Sequence, residues 1–259
     1  IALFYQLTGS MRIAFLLPSL LAGLGSLALV FDLARRLWNP QTAFRAGLLL
    51  LFTVQFTIQA KLAQIDALLT FAVTLGLYGF MRFLLCGGEW RWYYLGWFAA
   101  GLGIITKGVG FLAILVLIPA LWTHNAEIRR SSRDAWLKAF AGPLCMLLAI
   151  GLWLLPMLLA VTASHDATYE AYRNNILFRQ TVTRYANSWH HVKPFWYYLT
   201  EVVPVFWLPL SLLLPWIIWQ SRQAWRQGNR AVILLVGYLL LMLCFFSLSP
   251  GKRGVYITP

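Results

Sequence analysis

Charge is scarce in this 259-residue sequence: Asp, Glu, Lys and Arg make up 11%, while 60% of residues are hydrophobic. Soluble domains carry about 25% charged residues, so the composition excludes an ordinary soluble fold and indicates an integral membrane protein. Acids are scarcer still, 8 against 21 Lys and Arg, for a net charge of +13. Nucleic-acid binding asks for a basic face on a soluble fold. Here the bases lie between apolar runs, which makes anionic membrane lipids the expected partners and excludes nucleic acid. Only 3 cysteines occur (Cys86, Cys145, Cys244), at no metal-ligand spacing, and they read as small packed side chains. Short alternating segments are missing, which excludes a membrane barrel. No strand precedes Gly101-Leu102-Gly103, which excludes a dinucleotide-binding turn. The sequence also lacks an initiator Met and a signal peptide before Ile1, and it stops at Tyr256-Ile257-Thr258-Pro259 where a further span is expected. It reads as part of a longer chain.

Long apolar runs are what the sequence does have, each near the roughly 20 residues that cross a bilayer as a helix. Eight spans are expected, at about 13–33, 43–60, 66–84, 92–106, 108–123, 139–162, 197–219 and 231–247. The fourth and fifth can equally be one broken helix or a re-entrant pair around Thr106-Lys107-Gly108. The fold class is therefore all-α and polytopic, in a single transmembrane domain over 1–259. If the first span runs inward, more than half of the basic residues fall in the shorter inner loops, among them Arg35, Arg36, Arg82 and Arg91, as the positive-inside rule requires. Asp66, Lys107, the polar interval from Ser164 to Pro194 and the stretch Ser249–Tyr256 then collect on the outer face.

Those outer charges run against the rule and need another reason. Asp66 opens the third span, where a carboxylate is either an N-cap or a paired, functional group. Lys107 stands at a glycine-flanked break, where it holds an anion with free backbone N–H groups or snorkels to the interface. His190 and His191 adjoin Lys193 in an interval that also holds His165, Asp166 and Glu170, at no diagnostic metal spacing. Lys252 and Arg253 with Tyr256 place two cations and a phenol near one membrane boundary, as phosphate ligands or as interfacial anchors. Phe195-Trp196-Tyr197-Tyr198 reads as an interfacial aromatic belt that can also serve as a binding platform.

Five pieces of sequence resemble one family. Arg12-Ile13-Ala14-Phe15-Leu16-Leu17-Pro18-Ser19 resembles the "RLPS" start of a span in bacterial polyprenyl-phosphate-dependent glycosyltransferases of the GT-C fold, the aminoarabinose (lipid A) transferase and protein O-mannosyltransferase-like membrane enzymes. Ala63-Gln64-Ile65-Asp66 resembles their "A-R-x-D", with Gln64 in place of Arg, and Thr106-Lys107-Gly108 matches "TKG". Asn175 to Arg184 with His191-Val192-Lys193-Pro194-Phe195-Trp196-Tyr197-Tyr198 resembles their periplasmic "N…RF…HxxPfWyY", and Ser249 to Tyr256 resembles "S…KRxxYxLP". The resemblance implies a GT-C-like bundle in the bacterial inner membrane, with a periplasmic loop at 164–196. It implies transfer of a sugar from an undecaprenyl-phosphate donor to lipid A, another glycolipid or a protein. Lys107, Arg184, Lys252, Arg253 and Tyr256 would hold the lipid phosphate, His191 would contribute to a divalent metal site (zinc, magnesium or manganese), and Asp66 would be an acid at the cavity. The family's catalytic aspartate would precede Ile1, so no catalytic base is expected within these residues and the piece alone is expected to be inactive. Two other classes compete. A transporter or flippase would use Asp66 and Lys107 as a midplane pair, but no inverted repeat is visible. A non-catalytic polyprenyl-lipid-binding protein would use the same cations without the base.

Overall fold

The computed structural model describes residues 1–124, 132–164, 167–176, 193–249 and 251–257. Among these every regular element is a helix. A short α1 (Ala2–Thr8) precedes α2 (Met11–Leu37). The next helix, α3 (Pro40–Phe52), begins on a favourable cap: the Asn39 side chain accepts from the Thr42 N–H at 2.8 Å, and Pro40 takes the first helical position, where no N–H is needed. A bend of 67° at Thr53 leads into α4 (Val54–Lys61). Two packed antiparallel helices follow, α5 (Ile65–Leu85) and α6 (Trp90–Lys107). A 3-10 segment (Gly110–Val116) continues into α7 (Leu117–Thr123), and α8 (Arg133–Ser164) is the longest element. After α9 (Ala167–Asn174) comes a π-helical turn (Tyr198–Val202) leading into α10 (Val203–Phe206), bent by 113° from α11 (Leu210–Arg226). The last elements are α12 (Arg230–Leu248), capped by Asn229, and a 3-10 turn (Gly254–Tyr256).

Glycine brings α5 and α6 into close contact. A methyl group added at Gly79 would lie 2.6 Å from the Trp92 carbonyl and 2.7 Å from the Gly96 N. Close backbone approach through small residues is how membrane helices gain packing without a hydrophobic drive between them. Around this pair lie two apolar clusters. One centres on Phe80, Met81, Tyr93, Val116 and Leu234, the other on Leu112, Tyr198, Val202, Trp207, Phe246 and Ile257. By contrast α8 turns most of its leucines outward, as a helix solvated by lipid does.

The protein is a polytopic all-α membrane protein, while the expected count of eight separate spans is not confirmed among the described residues. Among the described residues four helices (α2, α5, α8, α12) are long and apolar enough to cross a bilayer, or up to six if each bent pair counts as one span. The 43–60 and 197–219 runs are each broken by a sharp bend, and Gly110–Thr123 is short. The interval 164–196 is also not loop from its start: Ala167–Asn174 is helical, and Thr168 and Tyr169 line a groove with Pro156, Met157 and Ala160 of α8.

Candidate functional site

The site is built where α5 starts and α6 ends. Ser19 in α2 donates its hydroxyl to the Gln64 carbonyl (3.2 Å) and accepts from the Gln64 N–H (3.3 Å), pinning the extended residue from which α5 begins. Asp66 therefore sits inside the first turn of α5, and Gln64 holds the cap position. The N-cap reading of Asp66 is corrected accordingly. Lys107 is the last residue of α6, which Gly108 closes in a left-handed conformation (φ 81°) open to few other residues. A carboxylate near a helix start and a cation at a helix end are each favoured by the helix dipole. Because α5 and α6 run antiparallel, the two ends meet, and the Lys107 ammonium forms a short salt bridge to Asp66 Oδ1. Their side chains are 18% and 15% exposed, so the pair is largely withdrawn from water.

The C-terminal segment folds over this pair. The Lys107 ammonium lies 5.3 Å from the centroid of the Tyr256 ring, near enough for cation–π attraction. Tyr256 packs on Phe246, and Phe246 on the fully buried Tyr198. Side chains from distant helices hold the segment's backbone. Gln59 Nε2 donates to the Val255 carbonyl at 3.2 Å, and Trp207 Nε1 to the Ile257 carbonyl at 3.2 Å. Lys252 donates to the carbonyls of Ser249 (2.7 Å) and Lys193 (3.0 Å).

The structure thus brings together Asp66, Lys107 and Tyr256, as the sequence leads one to expect, and assigns Lys252 differently. Its side chain is engaged with two backbone carbonyls and the residue is 5% exposed, so it ties the start of the 193–198 stretch to the end of α12. Arg253 is exposed beside it. Arg184 and His191 lie outside the described residues, as do His165, Asp166 and His190. Among the described residues no three His, Cys, Asp or Glu side chains form a metal-binding group. The aromatic belt divides: Phe195 and Trp196 are exposed, whereas Tyr198 is core. Sequence reasoning missed Gln59 and Trp207. An amide in the apolar run Phe56–Ala60 was a signal for the first; one tryptophan among 13 offered none for the second.

Residues 1–155 match the family model for dolichyl-phosphate-mannose-protein mannosyltransferase. Over 253 residues the chain is 35% identical to the undecaprenyl phosphate-alpha-4-amino-4-deoxy-L-arabinose arabinosyl transferase of Pseudomonas aeruginosa (strain UCBPP-PA14), covering 94% of this chain and 43% of that protein. It is 32% identical over 251 residues to the protein of the same name from Edwardsiella ictaluri, covering 93% and 42%. The chain therefore spans less than half the length of these curated relatives. In structure it is similar to ArnT from Cupriavidus metallidurans bound to undecaprenyl phosphate, with a TM-score of 0.78 and 22% identity over 98% of this chain and 45% of that one.

Proposed function

Because the chain belongs to the dolichyl-phosphate-mannose-protein mannosyltransferase family, we propose that it is part of a membrane glycosyltransferase. The reaction is transfer of a sugar from an undecaprenyl-phosphate donor to lipid A, another glycolipid or a protein. The observation that carries this reading is the sheltered Lys107–Asp66 pair under Tyr256. In the reaction the acceptor oxygen forms a bond to the anomeric carbon as the bond from that carbon to the lipid phosphate breaks. The phosphate leaves with the electron pair, and the acceptor proton passes to a carboxylate base. Negative charge on the departing phosphate is what a cation in a low-dielectric site stabilises best. Lys107 is that cation. Asp66 holds it aimed until the donor arrives, and is occupied by that role, so it orients rather than serving as the base. Tyr256 borders the same space, and Arg253 and Arg184 join the proposed phosphate set, Arg184 from outside the described residues. The site lies on the periplasmic side of the inner membrane in this proposal.

The test is transfer of radiolabelled sugar from polyprenyl-phosphate donors by membranes containing the full-length protein. Lys107→Ala is expected to lower kcat/KM about a hundredfold, the scale seen when one donor to a developing oxyanion is removed. Exchanging the pair (Asp66→Lys with Lys107→Asp) keeps an ion pair but moves the charges. It should keep most of the thermal stability, less what the two helix dipoles gave the original order, while leaving transfer impaired. Undecaprenyl-phosphate affinity equal to the parent's in Lys107→Ala would overturn the role.

A further inference from the structure

The opposite end of the α5–α6 pair carries a second charged cluster that the proposed transfer does not use. Asp32, near the C-terminus of α2, accepts from Arg35 (2.8 Å), Arg36 (2.6 Å) and the Tyr78 hydroxyl (2.7 Å). That hydroxyl in turn accepts from Arg82 Nη1 at 3.0 Å. One carboxylate thus answers three guanidinium groups. Arg35 and Arg36 pair with Asp32 and reach water. Arg82 is different. It is 8% exposed, and it meets no carboxylate among the described residues. Its guanidinium carbon lies 3.8 Å from the centroid of the Trp92 ring. Two buried donors meet at this contact, Arg82 Nε and Trp92 Nε1, and neither has a hydrogen-bond partner. A buried cation with idle donors is unfavourable unless an anion completes it. Trp92 covers one face of the guanidinium, so what remains is its planar N–H edge, the geometry that grips a phosphate through two oxygens.

We propose that this end binds a phosphodiester oxyanion, the headgroup of an anionic phospholipid, between Arg82 and Arg36. The Tyr78 hydroxyl and Arg36 Nε both donate to Asp32 Oδ2, so the two guanidinium groups are linked through the Asp32 carboxylate and the Tyr78 phenol. Position selects a lipid over a free anion. The cluster lies at the ends of membrane-crossing helices, beside Trp90, Trp92 and Tyr94, and Arg91 stands over Trp92 at 5.2 Å. Indole and phenol rings settle at headgroup level, and basic pockets between spans take acidic headgroups. The inference rests on the membrane fold and is independent of the transfer reading.

Native mass spectrometry of the full-length protein in detergent tests it, with phosphatidylglycerol, phosphatidylcholine and inorganic phosphate added separately. The parent should keep one phosphatidylglycerol under activation that strips phosphatidylcholine and phosphate. Arg82→Gln should lose it. Arg36→Gln leaves Asp32 with Arg35 and Tyr78, should fold as the parent does, and should weaken phosphatidylglycerol binding about tenfold, the effect of losing one charge-assisted contact; it decides the matter if Arg82→Gln fails to fold. Equal retention of the two lipids, unchanged retention in Arg36→Gln, or inorganic phosphate held as firmly as the lipid would each overturn the proposal.

Discussion

A lysine near a membrane boundary has several uses, and its partners decide among them. Lys107 faces a carboxylate and an aromatic ring in a sheltered space, an arrangement that an arriving anion can exchange for itself. Lys252 faces two carbonyls that no incoming ligand replaces. These two residues therefore predict opposite phenotypes. Lys252→Met should lower folding stability by about 2–3 kcal/mol, since both carbonyls lose a charged donor, while the affinity for undecaprenyl phosphate stays within a few-fold of the parent's. Thermal unfolding and lipid binding measured on the same preparation separate the two outcomes, and a collapse of lipid affinity with unchanged stability would reverse the assignment. His191 makes a third case. The divalent metal implied by the family resemblance is proposed at this residue, with further ligands also beyond the described ones. Elemental analysis of purified full-length protein should find less bound metal in His191→Ala, and equal content in variant and parent rejects a metal role there.

Helices break where the backbone can be satisfied elsewhere. In hydrocarbon an unpaired N–H or carbonyl is so unfavourable that breaks survive only when protein groups complete them. The break between α3 and α4 and the one between α10 and α11 answer each other: the Val54 N–H donates to the Leu208 carbonyl at 3.0 Å. This is why sequence alone ran straight through both. Apolar length and composition located α2, α5, α6 and α12 to within a few residues, because those properties are local. A break completed from a remote segment leaves no local trace. The candidate site divides in the same way. Asp66 and Lys107 were legible as charges inside apolar runs, and the antiparallel α5–α6 pairing that joins them follows from two helices with a short connection. Gln59 and Trp207, which bind backbone of the C-terminal segment, and Lys252, which binds the Ser249 and Lys193 carbonyls, were not legible in these roles, because a carbonyl has no sequence signature. The 3-10 segment after Gly108 shows the same dependence on contact. It returns against α6 so closely that a methyl group at Gly110 would lie 2.1 Å from the Gly103 carbonyl carbon. Backbone cannot give way there as a side chain can. Gly110→Ala should destabilise the full-length protein by about 3 kcal/mol, read as a fall in thermal midpoint, and a midpoint equal to the parent's would mean that the segment packs otherwise.

Across the whole molecule the charged groups separate to the two ends of the helices. Asp66, Lys107, Lys193 and Lys252 gather at one end, beneath the C-terminal segment. Asp32, Arg35, Arg36, Arg82 and Arg91 gather at the other. The second end is richer in arginine held close to span ends, which is the signature of the cytoplasmic side. The first end carries its cations for a different reason, the site itself, and so belongs on the periplasmic side in the proposed orientation. Single cysteines report this directly when Cys86, Cys145 and Cys244 are replaced by alanine. Arg253 is exposed at the first end and Arg35 at the second. In intact cells whose outer membrane has been made permeable, an impermeant maleimide should label Arg253→Cys at once. Arg35→Cys should be labelled only after the inner membrane is opened. The reverse pattern would turn the Lys107–Asp66 pair towards the cytoplasm, where sugar nucleotides are available as donors and a polyprenyl carrier is unnecessary. The charge-stabilising chemistry would survive such a reversal, but the choice of a lipid-linked donor would lose its support.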